Sequence, residues 1–339
     1  MGQTCSRSHH HTAVPALQVR CPPVLHPVLS LSSFDFLRVI GSGSFAQVRL
    51  ARMKDSHTPA AVKVMKKMYI LRTKQVAHVL AEKQIVRLVD SPFIVAFLGS
   101  FQDSVNLYCV LEYVPGGELF RLLCERETLS RAEATFYAAE VTLALCTLHA
   151  IRCAYRDLKP ENILISATGH VKLADFGLAK VLKHRDRTFT TCGTPEYIAP
   201  EIIEGMGYDE TSDWWQLGIL LYEMISAQTP FATPSPYELY SNILTKKVAF
   251  PSSFDEVTKD FIGQLLHKDP HKRIQQQDIL QHRFFADMNW PHVKALQLHP
   301  PFVPTIADPF DSSYFENFTE KPEEEAVLDA SMQAQFDGY

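Results

Sequence analysis

Three short stretches of this 339-residue chain carry side chains whose chemistry makes sense only in combination. They are Tyr155-Arg156-Asp157-Leu158-Lys159-Pro160-Glu161-Asn162, Asp175-Phe176-Gly177 and Ala199-Pro200-Glu201. Asp157 is a carboxylate able to accept a hydroxyl proton. Asn162 and Asp175 offer the hard oxygens that suit Mg²⁺, and Lys159 can reach a phosphoryl group as it moves. Any one stretch could arise by chance. Three in this order and at this spacing imply a phosphoryl-transfer site.

Upstream residues fit the same chemistry. Gly41-Ser42-Gly43-Ser44-Phe45-Ala46-Gln47-Val48 places glycines where backbone N–H groups could approach phosphate oxygens. Alone, this is also how a glycine turn joins two ordinary strands. Glu82 shares one helical face with Val79 and Val86, so it points inward beside them. A carboxylate on an apolar face needs a partner, and Lys63 is the natural one.

The elements that must position these residues divide into two sets. Strands are expected over 36–40, 60–65, 97–101 and 107–113, with one helix over 74–89. Beyond Pro115-Gly116-Gly117 the pattern turns helical. Ser130-Arg131-Ala132-Glu133 is a capping-box sequence opening a helix to about residue 150. Further helices are expected over 212–226, 235–244, 256–266 and 276–282. Residues 1–33, with His9-His10-His11 and prolines at 15, 22, 23 and 27, read as a flexible arm. From 286 onward, Pro and acidic residues suggest an extended tail on the surface. A β-rich front and an α-rich back imply an α+β protein of two lobes with a cleft at the hinge.

Composition narrows the class. The length exceeds what one compact core usually fills, and 46% hydrophobic with 21% charged residues is ordinary for a globular chain. A net charge of −5 argues against nucleic acid as a partner. The seven cysteines form no C-x-x-C pair or zinc spacing, which points to reduced thiols and a cytoplasmic setting. No apolar run approaches the roughly 18 residues of a membrane span.

With these motifs, the chain resembles eukaryotic Ser/Thr protein kinases of the AGC group, and among them the cAMP-dependent kinase catalytic subunits. The resemblance runs from about Phe34 to the C-terminus. It implies a bilobal protein kinase fold with a small β-rich N-lobe (34–114), a larger helical C-lobe (115–285) and an AGC C-terminal tail (286–339). ATP and Mg²⁺ would be the cosubstrate and cofactor. Asp157 would be the catalytic base and Lys159 its helper, with Asn162 and Asp175 as metal ligands. Ile40, Gly41, Ser42, Gly43, Ser44, Phe45, Ala46 and Val48 would cover the nucleotide; the third family glycine is Ala46 here. Lys63 would contact the α- and β-phosphates, paired with Glu82. Val48, Ala61 and Leu164 would sandwich the adenine, with Leu111 as gatekeeper. The hinge at Glu112 and Val114, with Glu118 just beyond, would complete the nucleotide site.

The resemblance also implies regulation and substrate choice. Thr190 falls where relatives carry an activating phosphate, which an upstream kinase would supply, and Arg156, Lys180 and His78 match the cations that cradle it. Thr194 resembles the threonine that favours Ser/Thr acceptors, Asp213 the residue that braces the catalytic loop, and Glu201 the partner of Arg273. Glu118, Glu161 and Glu223 match positions that hold substrate arginines, so protein substrates with basic motifs are expected. Phe315 would close over the adenine, and Phe336-Asp337-Gly338-Tyr339 would dock near Lys67, Leu71 and Leu107.

Phe189 stands where the cAMP-dependent kinase has Trp, which leaves a cAMP-binding regulatory subunit open as a partner. Phe318-Thr319-Glu320-Lys321-Pro322 looks more like the growth-factor-regulated branch. A catalytically inactive pseudokinase scaffold would lack Lys63 or a metal Asp, and both are present. Met1-Gly2-Gln3-Thr4-Cys5-Ser6 fits myristoylation at Gly2 with Cys5 placed for palmitoylation, and so predicts membrane association.

Overall fold

The computed structural model describes residues 29–43, 46–183, 186–318 and 328–339. The first lobe is built on an antiparallel sheet of β1 (Phe34–Ser42), β2 (Ala46–Met53), β3 (Pro59–Lys66), β4 (Phe97–Gln102) and β5 (Asn106–Glu112), in the order β1-β2-β3-β5-β4. β3 is central because Ala60, Ala61 and Val62 are all buried, and small and β-branched residues suit a strand covered on both faces. Helices α1 (Lys67–Arg72) and α2 (Val76–Leu88) follow β3. The sequence pattern anticipates one helix over 74–89. Gln75 stands at the N-terminal boundary of α2 without a side-chain capping bond, and Thr73 and Lys74 break the chain before it, with Lys74 at φ 56°.

The second lobe is mainly helical. It comprises α3 (Leu119–Arg126), α4 (Arg131–Ala150), α5 (Pro200–Ile203), α6 (Ser212–Ser226), α7 (Pro236–Thr245), α8 (Glu256–Leu265) and α9 (Gln276–Gln281). Short ladders pair β6 (Cys153–Ala154) with β9 (Lys180–Val181), and β7 (Ile163–Ile165) with β8 (Val171–Leu173). The capping box expected at α4 is present. Ser130 Oγ accepts from Glu133 N at 3.3 Å, and Glu133 Oε2 accepts from Ser130 N at 2.8 Å. α4 and α6 are the central helices of this lobe; Tyr137, Trp214 and Trp215 are among its largest fully buried side chains. An all-round apolar helix is stable only when neighbours cover every face.

The segment after 285 is not wholly extended, since it contains α10 (Trp290–Lys294) and α11 (Ala330–Ala334). Between them it crosses the hinge. Tyr113 Oη donates to Asp311 O at 2.6 Å, Arg38 donates to Glu316 O at 2.6 Å, and Arg121 donates to Ser313 O at 2.9 Å. Tyr314 lies so close to Gly117 (φ 74°) that any side chain there would collide with it. The last residues return to the first lobe, where Phe336 is fully buried with Met65, Ile70 and Leu107, and Tyr339 and Leu71 pack at the edge.

Candidate active site

A cavity of about 690 Å³ opens between the lobes. That volume falls within the range of nucleotide-sized ligand sites. Alternation along β3 turns Ala61 and Lys63 to the same face, and both line the cavity. Ile40, Gly41, Gly43, Ala46, Val48, Glu112, Val114, Glu118, Leu164 and Phe315 complete much of the wall. Ser42 does not line it and is exposed at the end of β1. Ser44 and Phe45 lie outside the described residues.

Glu82 sits on the buried face of α2 with Val79 and Val86, and its Oε1 is 2.5 Å from Lys63 Nζ. Lys63 also reaches Asp175 Oδ1 at 3.1 Å. Burial alone would depress the Lys63 pKa, but the Glu82 and Asp175 charges outweigh it and hold the ammonium charged. Lys63 in turn holds the Asp175 carboxyl below its usual range, against the opposing effect of burial. Burial pushes Glu82 upward, and the ammonium beside it opposes that shift.

Below this trio lies the loop that carries Asp157. Its Oδ1 accepts from Thr194 Oγ1 at 3.1 Å, while its Oδ2 accepts from Asn162 Nδ2 at 2.8 Å and pairs with Lys159 Nζ at 3.1 Å. Lys159 also donates to Thr194 Oγ1 at 3.1 Å, which closes a ring of three side chains around one carboxylate. α6 holds the loop from beneath. Asp213 accepts from Tyr155 N and Arg156 N at 2.9 Å each and from His149 at 2.8 Å. Gln216 Oε1 accepts from Leu158 N at 3.1 Å, and its Nε2 donates to Arg156 O at 3.0 Å. Arg156 (φ 71°) and Asp175 (φ 48°) are both left-handed without being glycine, a conformation that persists only where surroundings impose it.

The donor chemistry fits Mg²⁺. The amide nitrogen of Asn162 is spent on Asp157 O and Oδ2, leaving its carbonyl oxygen as the remaining donor, with the Asp175 carboxylate as the second. Two protein oxygens, supplemented by phosphate and water, are the usual way this small cation is held. Among the described residues no group of three or more His, Cys, Asp or Glu side chains forms a self-sufficient metal site.

The cavity continues beneath α2 to His78, Arg156, Thr190 and Cys192. Of the three cations expected around Thr190, His78 and Arg156 share this compartment. Lys180 is instead turned to buried Thr188, donating to its Oγ1 at 3.1 Å. Glu118 and Glu161 line the cavity, and Glu223 accepts a hydrogen bond from Tyr197 Oη. Burial and then the Glu161 charge raise the Glu118 pKa. Burial also raises that of Glu223, with Glu161 and Glu196 adding to it. Glu201 and Arg273 form a buried bidentate pair at 2.7 and 2.8 Å. Gly2 and Cys5 lie outside the described residues.

Gln216, His149 and Tyr208 escaped the sequence reading. Gln216 follows Asp213 by three positions on one helix, so the i, i+3 spacing was its available signal. His149 and Tyr208 had none, because their partners are far away in the chain.

A protein kinase domain is matched over residues 34–285. The human cAMP-dependent protein kinase catalytic subunit PRKX is 43% identical over 299 residues, covering 87% of this chain and 83% of its own. The Saccharomyces cerevisiae serine/threonine-protein kinase YPK2/YKR2 is 43% identical over 326 residues, covering 94% of this chain and 48% of its own. The Schizosaccharomyces pombe kinase gad8 is 43% identical over 310 residues, covering 90% and 54%. The chain thus spans about half the length of these yeast relatives.

Proposed function

The chain belongs to the protein kinase family, and we propose that it is an active Ser/Thr kinase that transfers the γ-phosphoryl group of Mg-ATP to protein hydroxyls preceded by arginine. The observation that carries this reading is the ring of Thr194, Lys159 and Asn162 around Asp157, of which Asn162 also lines the cavity that holds the Lys63–Glu82 pair and Asp175. Asp157 orients the acceptor hydroxyl and takes its proton, and Lys159 offsets charge that develops on the moving group. Thr194 on one Asp157 oxygen, with Asn162 and Lys159 on the other, fixes the orientation of the carboxylate. Lys63, held by Glu82, binds the nucleotide phosphates. Asn162 and Asp175 would hold Mg²⁺, which when bound neutralises phosphate charge.

Glu118, Glu161 and Glu223 support a preference for arginine before the acceptor, since a guanidinium meets carboxylates in bidentate, charge-assisted bonds. Identity does not choose between branches of the AGC group, because a cAMP-dependent catalytic subunit and the YPK-type yeast kinases match equally at 43%. Thr190, which lines the same cavity as Arg156 and His78, is the proposed activating phosphosite. The sequence from Met1 to Ser6 supports acylation at Gly2 and Cys5. The test of the reading is transfer of labelled phosphate from Mg-ATP to degenerate peptide arrays. Labelled Ser or Thr with arginine two and three residues upstream is expected; an absence of transfer to any peptide would refute it.

A further inference from the structure

Tyr208 occupies a position that none of the motifs marks. It lies in the loop between α5 and α6, buried, and exchanges two backbone hydrogen bonds of 2.9 Å with Thr188. Its hydroxyl donates to Thr190 O at 2.7 Å, accepts from Arg156 Nη1 at 3.2 Å and lies 3.6 Å from Cys192 Sγ. One proton given and one lone pair used leave the two main contacts compatible. Burial pushes the phenol up to about 12, so the donor persists through the neutral range.

We propose that Tyr208 is a positioning residue that ties the activation segment to the catalytic loop without any phosphate, and so sets the activity of the chain unmodified at Thr190. Arg156 is the link. Its backbone N and O are held by Asp213 and Gln216, it precedes Asp157, and its Nε donates at 2.6 Å to Leu178 O, just past Asp175-Phe176-Gly177. Tyr208 joins this arginine to Thr190 O, four residues before the Thr194 hydroxyl that engages Asp157. Loss of the hydroxyl leaves an Arg156 N–H and a carbonyl short of partners and slackens the segment that carries Thr194. A phosphate on Thr190 would offer the same guanidinium three acceptors and take over the tie.

The proposal rests on the kinase reading and, for its rescue arm, on Thr190 as phosphosite. Its test is Tyr208→Phe in the full chain, which keeps the ring. The variant is prepared both unphosphorylated and with phosphothreonine installed at 190 during synthesis. In the unphosphorylated form kcat should fall about ten-fold, as for loss of one hydrogen bond to a charged group, with the KM for ATP within about two-fold because Lys63–Glu82 is untouched. Phosphothreonine should restore most of the rate. An unchanged kcat, an inactive unphosphorylated wild type, or equal losses in both forms with a raised KM for ATP would each overturn it. A wild type indifferent to phosphothreonine would refute Thr190 as the phosphosite. The kcat loss in unphosphorylated Tyr208→Phe would still support the tie.

Discussion

Asp157 and Asp175 lie in one site but have different contacts, and the difference is measurable. Asp157 is wrapped by Thr194, Asn162 and Lys159, whereas Asp175 faces Lys63 and the nucleotide cavity. Alanine at either position should abolish turnover. Only Asp175→Ala should also weaken Mg-ATP binding in a calorimetric titration; equal affinities in the two variants would contradict the assigned roles. The carboxylates proposed to meet substrate arginines predict selectivity. Glu161→Gln or Glu223→Gln should cost roughly 1.5–3 kcal/mol in kcat/KM for peptides with upstream arginine and leave alanine-substituted peptides nearly unchanged. Their titration adds a pH signature. Burial raises the pKa of Glu118 and Glu223, so their charged forms dominate above those raised values and are lost as pH falls through them. The preference for arginine over alanine peptides should therefore decay on acidification earlier than for exposed glutamates, and Glu118→Gln should flatten that profile. A preference independent of pH would count against these residues.

Between elements, the buried Glu201–Arg273 pair ties α5 to the loop between α8 and α9. Arg273 also donates to Thr211 O and His267 O, so one guanidinium bridges three segments around the activation loop's far end. Its side chain is fully buried and that of Glu201 is 2% exposed, so neither charge has water to fall back on. Removing one partner strands the other, at a cost of about 3–5 kcal/mol. Arg273→Met should lower the urea midpoint accordingly, while the Glu201→Met, Arg273→Met double variant should recover part of the loss. A single variant as stable as the parent would show that the pair carries no structural weight.

Across the whole molecule, the two lobes and the tail enclose the cavity jointly. β1 and β3 supply its roof, α2 its back wall, β7 its floor and Phe315 its front. No helix among the described residues is long and apolar enough to cross a membrane. The acyl groups proposed at Gly2 and Cys5 would provide association with a bilayer. One myristoyl chain binds only marginally, with K of roughly 10⁴ M⁻¹, so a second signal is needed for stable residence, and palmitoylation at Cys5 would supply it. Gly2→Ala should release the protein to the soluble fraction and Cys5→Ser should release part of it, with rates on soluble peptides intact. An intact mass lacking any acyl group on protein from its native cells would end this proposal.

By itself the sequence singled out the residues proposed for the chemistry and the elements nearest to them. Asp157, Lys159, Asn162 and Asp175 were legible because they lie close together in short, ordered motifs, and Glu82 because helical periodicity placed it on an apolar face. The Ser130 capping box and the limits of α6 were legible for the same reason, being local. What tertiary structure alone decided is pairing across distance. Lys180 turns to Thr188, Tyr208 gathers Thr190 and Arg156, His149 reaches Asp213, and Arg38 clasps a tail more than 270 residues away. Such contacts depend on which buried polar groups are left to satisfy once the helices and strands have packed, and no local pattern in the chain encodes that remainder.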